Sequence, residues 1–484
     1  MIKVYALVAA SLLVATPAFA SIVTVDPFPA IQPGPIAVSL NPVLTIPADG
    51  AGSTLARITG AVSDGTGRVF VNDLSGVIYR TDLTGATPVP YLNIIQQNVG
   101  SVTGSSFYQV GLTGVAFHPN FAGDAAQPGY GKFYTSYTSA NTGTATLGDN
   151  TGPSVVQIRE WTATNPNAAT FNGTSRAVLT ISGYADGHSN GAIAFNPNAE
   201  RGGADYGNLY IGSGDGLYND GAQKAQDLSA PQGKMLRINP LASATAPYTV
   251  PADNPFVDKA GVLPEIFASG LRFPQSFGWD TGGTGQMFIN DLGQAALEEV
   301  DLGKAGDNYG WSQRAGTLAT GYAQGVNDPG NEQLYTTPVK DPAYTDPIAE
   351  YWHSEGAALG SGFLYRGKAI PALTGKYVLA DIVVGRLFYF DPADAAGGGL
   401  ATLRELQLFE NGAPIDLYST YYPRADTRLA QLPNNELWLL SKARGEVFAL
   451  GSVDVPEPAS MALLLTALTG YAARRSKSAA MRRS

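Results

Sequence analysis

A strand–turn–strand unit recurs along the middle of the chain, and this recurrence limits the folds available to it. Each unit alternates apolar and polar residues at a period of two, which turns one face of a strand toward a core. Gly, Pro, Asn or Asp stands at each turn, and the second strand often closes on Asp or Gly. The units begin at residues 58, 114, 191, 276, 362 and 429. Short antiparallel strands repeated in this way are typical of a propeller. We therefore predict an all-β fold, a six-bladed β-propeller, over residues 21–452.

The spacing of the units, roughly 55 to 85 residues, exceeds the ~40–50 residues of common propeller repeats. We expect the surplus to lie in insertions between strands, because propellers carry their functional residues on such loops. A β-helix or a two-domain sandwich is the alternative fold.

The N-terminus has the three parts of a secretory signal peptide. Lys3 supplies a basic start, an apolar run follows, and Ala18-Phe19-Ala20 forms a small-x-small cleavage site. We predict a signal peptide over residues 1–20, with cleavage after Ala20. A buried N-terminal helix is the alternative.

The C-terminal segment, residues 453–484, resembles the PEP-CTERM sorting signal of Gram-negative bacteria. Its Pro456-Glu457-Pro458 motif precedes a short apolar stretch and an Arg-rich tail. The apolar stretch is shorter than the roughly 20 residues of a comfortable membrane span. The resemblance implies a transient inner-membrane anchor, cleavage by an exosortase, and delivery to the cell surface or extracellular matrix. A plain C-terminal membrane anchor is the alternative.

Charge and composition exclude several classes of function. The formal net charge is −10, and five of the basic residues lie in the last eleven positions, so the body of the chain is more acidic than the total. An acidic body repels phosphate backbones, which argues against nucleic-acid binding. The chain has no cysteine, which excludes disulfides, thiolate metal sites and cysteine nucleophiles.

Several segments between residues 50 and 450 resemble, in the correct order, the soluble quinoprotein glucose/sorbosone dehydrogenases. They are GLTGVAFHPNF from Gly111, HSNGA from His188, LYIGSGDG from Leu209, GKMLRI from Gly233, PEIFASGLRFP from Pro264, DLGQ from Asp291, NYGW from Asn308 and YRG from Tyr365. The resemblance implies a six-bladed propeller that oxidises an aldose or related sugar with the cofactor pyrroloquinoline quinone (PQQ) and calcium.

Oxidation of a sugar hydroxyl requires a base for the proton, and a neutral imidazole suits that role near neutral pH. The chain has three histidines. His188 stands at a strand entrance and matches the family's base, whereas we expect His118 to be a core or turn residue and His353 a surface or supporting residue. Asp215 matches the carboxylate that orients the base. Arg272 matches the arginine that stabilises the quinone oxygen as it is reduced.

The resemblance also implies cofactor and metal contacts. Gln109 matches a cofactor-contacting glutamine. The backbone carbonyl oxygens of Gly293 and Gln294 occupy the family's calcium position, and such oxygens are suitable calcium ligands. The side chains that could add to this site, or be only charges at a strand edge, are Asp291, Glu298 and Glu299.

The chain departs from the family where the carboxylates of PQQ are held. The family's lysine falls on Val383 or Val384, and the asparagine after the quinone arginine is Phe273. The family's paired arginines correspond to the segment from Arg424 to Arg428, out of register. Arg386 or Arg424 is a candidate substitute for the lost cations.

Two functions follow from these observations. The first is a PQQ- and calcium-dependent sugar dehydrogenase that passes electrons to an unspecified acceptor. The second is a non-catalytic surface propeller that binds extracellular polysaccharide or protein. A serine hydrolase is poorly supported, because the family-like core has no Gly-x-Ser-x-Gly turn before a helix.

Overall fold

A computed structural model describes residues 21–47, 56–97, 110–184, 187–216, 224–294, 296–324, 333–336 and 341–453. The predicted signal peptide, Gln109 and the sorting segment after residue 453 lie outside these residues. Among the described residues, no helix is both long enough and apolar enough to cross a membrane.

Strands numbered β1 to β29 along the chain account for most of the regular secondary structure of the described residues. The strands before the first repeat are β1 (Ile22–Val23) and β2 (Gln32–Thr45). The first sheet contains β3 (Ile58–Ser63), β4 (Arg68–Asp73), β5 (Val77–Asp82) and β6 (Val89–Asn93). The second contains β7 (Leu112–Phe117), β8 (Lys132–Ala140), β9 (Ser154–Ala163) and β10 (Gly173–Tyr184). The third contains β11 (Asn190–Phe195), β12 (Leu209–Ser213), β13 (Lys234–Ile238) and β14 (Ile266–Ser269).

The later sheets carry the insertions. The fourth sheet contains β15 (Pro274–Trp279), β16 (Met287–Asp291), β17 (Leu297–Gly303) and β21 (Ala349–Trp352), and its insertion holds β18 (Arg314–Ala315), β19 (Leu318–Thr320) and β20 (Leu334–Tyr335). The fifth contains β22 (Leu359–Leu364), β23 (Tyr377–Asp381), β24 (Leu387–Phe390) and β25 (Arg404–Glu410), with β26 (Ala413–Pro414) paired to β25. The sixth begins with β27 (Thr427–Gln431), β28 (Leu437–Ser441) and β29 (Glu446–Ser452). The helical segments are α1 (Leu417–Tyr421) and the 3₁₀ turns Ile95–Gln97, Gly321–Gln324, Pro371–Leu373 and Pro392–Ala395.

The first strands of the six sheets form a closed ring. Contacts join β3 to β7, β7 to β11, β11 to β15, β15 to β22, β22 to β27, and β27 back to β3. Each predicted repeat begins within one of these inner strands. Six separate apolar clusters fill the six spaces between neighbouring sheets. The all-β prediction is therefore confirmed, and the described residues form six blades around one axis.

The two ends of the described chain close the ring together. Strand β2 pairs antiparallel with β29 and becomes the outer strand of the sixth blade. The same strand pairs in parallel with β25 of the fifth blade. Val38 and Leu40 of β2 are buried in the cluster between these two blades. Ring closure therefore depends on a segment that precedes the first repeat in the sequence.

Aspartates that close the second strand of a blade have a structural role. Asp73 accepts hydrogen bonds from the backbone N–H groups of Arg57 and Ser75. Asp381 accepts four such bonds, from residues 357, 358, 383 and 384. These side chains satisfy backbone donors that strand pairing leaves unpaired, both where the chain enters the inner strand and in the turn that follows the second strand. The recurrence of Asp at these positions therefore reflects the architecture of the blades.

The insertion of the fourth blade and the N-terminal segment form a small lobe. Strand β1 pairs with β20, so the sheet order is β1-β20-β19-β18. The backbone N–H of Ser21 donates to Thr336 Oγ1 at 3.1 Å. Phe28 packs on Trp352 with ring centroids 6.5 Å apart. The residue that follows the predicted cleavage site is thus held against the fourth blade.

Candidate active site

His188 and Asp215 meet at one end of the ring axis, where the inner strands begin and the second strands of the blades end. His188 precedes β11 and has φ = 43°, an uncommon backbone conformation for a residue other than glycine. Asp215 follows β12, and its Oδ1 lies 3.2 Å from His188 Nδ1. Gly214 permits this approach, because a Cβ there would lie 2.1 Å from the His188 carbonyl oxygen. The structure therefore brings together the predicted base and the carboxylate predicted to orient it.

Burial and charge keep the His188 imidazole neutral. Only 5% of His188 is exposed, and its burial together with the Arg272 guanidinium lowers the pKa of the imidazole. Asp215 and Glu298 oppose that shift in the pKa. A neutral imidazole paired with a buried carboxylate is the arrangement that a general base requires.

Trp311 holds the other oxygen of Asp215. Its indole Nε1 donates to Asp215 Oδ2 at 3.0 Å. The backbone N–H of Asp215 donates to the Arg272 carbonyl oxygen at 2.7 Å. In the sequence Trp311 stands out only as the last residue of the NYGW segment, and no role is predicted for it there.

Arg272 is directed at the loop after β16. Its Nη1 donates to the carbonyl oxygens of Leu292, at 2.9 Å, and Gly293, and its Nε donates to Gln294 Oε1 at 3.1 Å. The guanidinium carbon lies 5.8 Å from the centre of the Trp311 ring. The structure thus joins Arg272 to the predicted calcium-binding residues. The carbonyl oxygen of Gly293 therefore already accepts a hydrogen bond from the charged Arg272 guanidinium.

Glu298 binds the backbone of the same loop. It is wholly buried, and its Oε2 accepts from the N–H groups of Gly293, at 3.1 Å, and Leu359, at 2.8 Å. Its Oε1 lies 2.7 Å from His353 Nε2. His353 therefore supports the loop through Glu298, in line with the supporting role expected for it.

Phe273 separates the imidazole from a central cavity. Its ring is nearly parallel to that of His188, with an interplanar angle of 12° and centroids 5.1 Å apart. The cavity, about 230 Å³ in volume, is lined by residues of the inner strands and by Phe273 and Arg428. The side chain that stands in place of the family's asparagine therefore covers the candidate base.

A cluster of cations lies at the entrance of the sixth blade. Arg428 and Lys442 are 8% and 3% exposed, and Arg428 Nη1 has no hydrogen-bond partner among the described residues. Burial and neighbouring cations lower the pKa of Lys442 to about 7, and burial lowers the pKa of Arg428 to about 10. Asp426 opposes both shifts and lies 2.8 Å from Arg424 Nε. Three cations thus surround one carboxylate, an arrangement suited to a further anion.

The place of the family's lysine is apolar. Val383 packs against a buried cluster that includes Phe273, Leu292 and Ile382. The backbone N–H groups of Val383 and Val384 donate to Asp381. Val383 and Val384 carry no charge, and the positive charge near this position comes from the sixth blade, where the Ala425 N–H donates to the Val383 carbonyl oxygen at 3.0 Å.

Two residues considered at the sequence level lie in other environments. Arg386 donates to Glu355 Oε2 at 2.5 Å and to Glu405 Oε2 at 2.8 Å, so carboxylates of the fifth-blade region already bind its guanidinium. His118 Nδ1 accepts from the Asn120 N–H at 3.0 Å, and burial lowers the pKa of His118 to about 4. His118 is thus a buried turn residue, as expected.

Three carboxylates in the fourth blade form a possible metal site. Asp291, Glu299 and Asp301 each offer an oxygen within 4.8 Å of the others. Both oxygens of Asp301 and Oε2 of Glu299 are buried without a hydrogen-bond partner among the described residues. Burial, followed by mutual repulsion, raises the pKa of Glu299 and Asp301, and burial raises the pKa of Asp291 to about 7. Unpaired carboxylate oxygens of this kind are suitable ligands for a calcium ion.

Comparison of the six repeats could have indicated Lys442. It follows the second strand of its blade, β28, as Asp215 follows β12, so both residues face the same end of the axis. Nothing in the sequence could have indicated the Trp311–Asp215 contact, because 96 residues separate the two positions.

Comparison with known proteins supports these assignments of fold. The sequence matches the Glucose / Sorbosone dehydrogenase family over residues 61–407 and the PEP-CTERM protein-sorting motif over residues 454–476. The PQQ-bound aldose sugar dehydrogenase of Streptomyces coelicolor superposes with a TM-score of 0.53, at 20% identity, over 86% of this chain and 98% of its own. At that identity the likeness shows the fold alone.

Two curated relatives are similar to this chain over part of their own length. The HIPL1 protein of Arabidopsis thaliana is 26% identical over 70% of this chain and 53% of its own length. The human Hedgehog-interacting protein is 26% identical over 68% of this chain and 41% of its own length. The chain spans about half the length of the curated relatives it matches, or less. Because the family match covers most of the chain, the protein belongs to the glucose/sorbosone dehydrogenase family.

Proposed function

We propose that this protein is an exported quinoprotein that oxidises an aldose or a related sugar. The hydrogen-bonded pair of His188 and Asp215, with Arg272 beside it, carries the proposal. A buried neutral imidazole, a carboxylate on one of its nitrogens and a guanidinium nearby provide a base, its orienting group and a stabiliser of developing negative charge.

The proton transfer follows from the geometry of the pair. The hydrogen bond from Nδ1 to Asp215 keeps the proton on Nδ1 and leaves the lone pair on Nε2 of His188. Nε2 is the atom that would take the hydroxyl proton of the sugar. The Asp215 carboxylate then stabilises the imidazolium ion. PQQ, when bound, would supply the acceptor for the hydride from the sugar carbon that carries this hydroxyl group.

The cation cluster fits the carboxylates of PQQ. Arg428 has a buried, unpartnered Nη1 among the described residues, and Lys442 and Arg424 add charge beside it. We propose that this cluster takes the place of the family's missing lysine. Gln109 and Arg386 stay predicted cofactor contacts, although the carboxylates of Glu355 and Glu405 already bind Arg386.

We propose that calcium binds to the carboxylates of Asp291, Glu299 and Asp301. The donor set fits a hard divalent cation, which would also relieve the repulsion among three buried carboxyl groups. The carbonyl oxygens of Gly293 and Gln294 stay a second proposed position. A cation there requires the Arg272 guanidinium to move away from the Gly293 oxygen, because the two positive charges repel.

Location follows from the sorting motif. The PEP-CTERM motif implies export and sorting to the surface. We propose that the signal segment is removed after Ala20 and that an exosortase processes the C-terminal segment. Substrates in that compartment would be free sugars or the ends of extracellular polysaccharides.

The alternative is a non-catalytic propeller that binds polysaccharide or protein. Two observations favour it: Phe273 covers His188, and His188 is almost wholly buried. A relative is named for its interaction with Hedgehog. The test must therefore measure cofactor binding and turnover separately.

The experiment is a titration of the purified protein with PQQ and Ca²⁺, followed by quinone absorbance. A panel of aldoses with an artificial electron acceptor then tests turnover. We expect stoichiometric binding and sugar-dependent reduction. His188→Ala should reduce turnover by at least ~10²-fold, since general-base catalysis contributes about 10²–10⁴-fold.

His118→Ala is the matched control, because this histidine is also buried but lies in the second blade, away from the candidate base. It should retain turnover per folded molecule. Absence of PQQ binding at concentrations that saturate an active member of the family would refute the dehydrogenase proposal. The non-catalytic binding propeller would then be the remaining function.

A further inference from the structure

Among the described residues, a side-chain donor contacts each carboxylate oxygen of Asp215. His188 Nδ1 lies 3.2 Å from Oδ1, and Trp311 Nε1 lies 3.0 Å from Oδ2. The carboxylate side chain is 1% exposed, so it exchanges neither donor for solvent. A carboxylate fixed at both oxygens cannot rotate, and its plane in turn fixes the imidazole.

Trp311 is itself firmly placed. Its backbone N–H donates to the Gly270 carbonyl oxygen at 2.9 Å, and its carbonyl oxygen accepts from Gln226 Nε2 at 2.5 Å. The residue is 3% exposed and packs with Leu318 and Leu334 of the lobe. These contacts hold the indole between the fourth-blade lobe and the candidate base.

The ring also faces a charge of the site. The Arg272 guanidinium carbon lies 5.8 Å from the ring centre, within the range of a cation–π contact. One side chain thus contacts two of the charged groups near His188, Asp215 and Arg272. The edge of the indole donates to the carboxylate, and its face lies against the guanidinium.

We propose that Trp311 is a positioning residue, which orients Asp215 and moderates the attraction of its carboxylate for the His188 imidazole. The proposal rests on the proposed dehydrogenase function for its catalytic consequence. The indole N–H stabilises negative charge on Asp215, so the carboxylate attracts an imidazolium less strongly than one without that donor. The base thereby stays neutral before the reaction and is still supported when it takes a proton.

Among the described residues, the charged groups with the largest effect on the pKa of His188 are Asp215, Arg272 and Glu298. Asp291 lies within electrostatic range of Asp215. Trp311→Phe removes the N–H donor together with part of the indole ring, keeps an aromatic face for Arg272 and leaves each of these charges in place; Trp161→Phe, at an equally buried site, loses the same ring volume. A change in the titration of His188 in this variant therefore reports the lost hydrogen bond.

The test is the NMR titration of His188 in the full protein, which needs neither cofactor nor turnover. With three histidines in the chain, the signals can be assigned through variants of His118 and His353. We expect Trp311→Phe to raise the pKa of His188 by about one, as a lost hydrogen bond to a charged group permits. In the active enzyme, kcat should fall about tenfold with little change in KM, and the acidic limb of the pH–rate profile should move upward with the pKa.

Trp161→Phe is the matched control. Trp161 is equally buried and donates from Nε1 to Thr135 Oγ1 at 2.9 Å, but it lies in the second blade. It loses the same kind of hydrogen bond and should leave the pKa of His188 unchanged. Equal shifts in the two variants, or none in Trp311→Phe, would overturn the proposal.

A measurement on the unaltered chain covers the case in which Trp311→Phe does not fold. The indole ¹⁵N–¹H signal of Trp311, one of five tryptophans, should shift with the same midpoint as His188, because both donors share one carboxylate. Asp215→Asn should abolish that dependence, and an indole signal that ignores the His188 titration contradicts the proposal. Coupled titrations in a protein that oxidises no sugar would support the positioning role and count against the dehydrogenase.

Discussion

Lys442 provides the sharpest test of the electrostatics at the sixth blade. Burial, Arg428 and other cations lower its pKa to about 7 in the folded protein, from 10.5 in an unperturbed lysine. Between these values the folded chain binds fewer protons than the unfolded chain. The free energy of unfolding should therefore rise as the pH rises through this window.

The size of the effect follows from the two pKa values of Lys442. A tenfold change in proton affinity corresponds to ~1.36 kcal/mol, so the difference between the folded and the unfolded pKa sets a ceiling of ~5 kcal/mol on the free energy. Local relaxation and water entry reduce this value, and we expect about 2–4 kcal/mol. Lys442→Met removes the charge while keeping most of the side-chain volume. The variant should be more stable than the native chain at pH 7 by that amount, and the difference should nearly close by about pH 10.

The assay is urea unfolding followed by tryptophan fluorescence at pH values from about 7 to about 10, with the denaturant slope held common to both proteins. Lys304→Met is the control, because the Lys304 side chain is 76% exposed. Its effect should stay within ~0.5 kcal/mol at every pH. A difference between the native chain and Lys442→Met that stays flat across this range would show that burial does not lower the pKa of Lys442, and would refute the reasoning.

Three further predictions address the cofactor, the metal and the closure of the ring. Arg428→Gln should weaken PQQ binding about 10–100-fold, as loss of a charged hydrogen bond does. Arg444→Gln, on the exposed surface, is the control and should have no effect. Equal PQQ affinities of the native chain and Arg428→Gln in absorbance titrations would contradict the proposed role of the cation cluster. Calcium should raise the melting temperature of the native chain at about pH 8 and a chelator should reverse the rise, whereas Asp301→Asn should abolish both responses in calorimetry. Calcium should raise the melting temperature less at about pH 5, because carboxyl groups with raised pKa values are protonated there. Leu40→Ala, in the strand that closes the ring, should cost about 2–5 kcal/mol in urea unfolding, and a loss below ~1 kcal/mol would show that closure does not depend on this strand.

The sequence determined the repeat and most of the candidate catalytic group. Strand alternation and turn residues are local properties, so each of the six inner strands could be located without tertiary information. His188, Asp215 and Arg272 were identified through short segments that resemble a family, and the structure brings these three residues together. The same segments could not show that Phe273 covers the imidazole, because the orientation of a ring depends on the neighbouring blades.

Only the tertiary structure decided which distant residues meet. β2 reaches the sixth blade from the opposite end of the chain, and Trp311 reaches Asp215 from the next blade. The charge of Lys442 and the repulsion among the fourth-blade carboxylates depend on burial, which a sequence does not encode position by position. The physical reason is common to these cases: hydrogen bonds and pKa shifts arise from spatial proximity and desolvation, whereas sequence patterns report backbone periodicity.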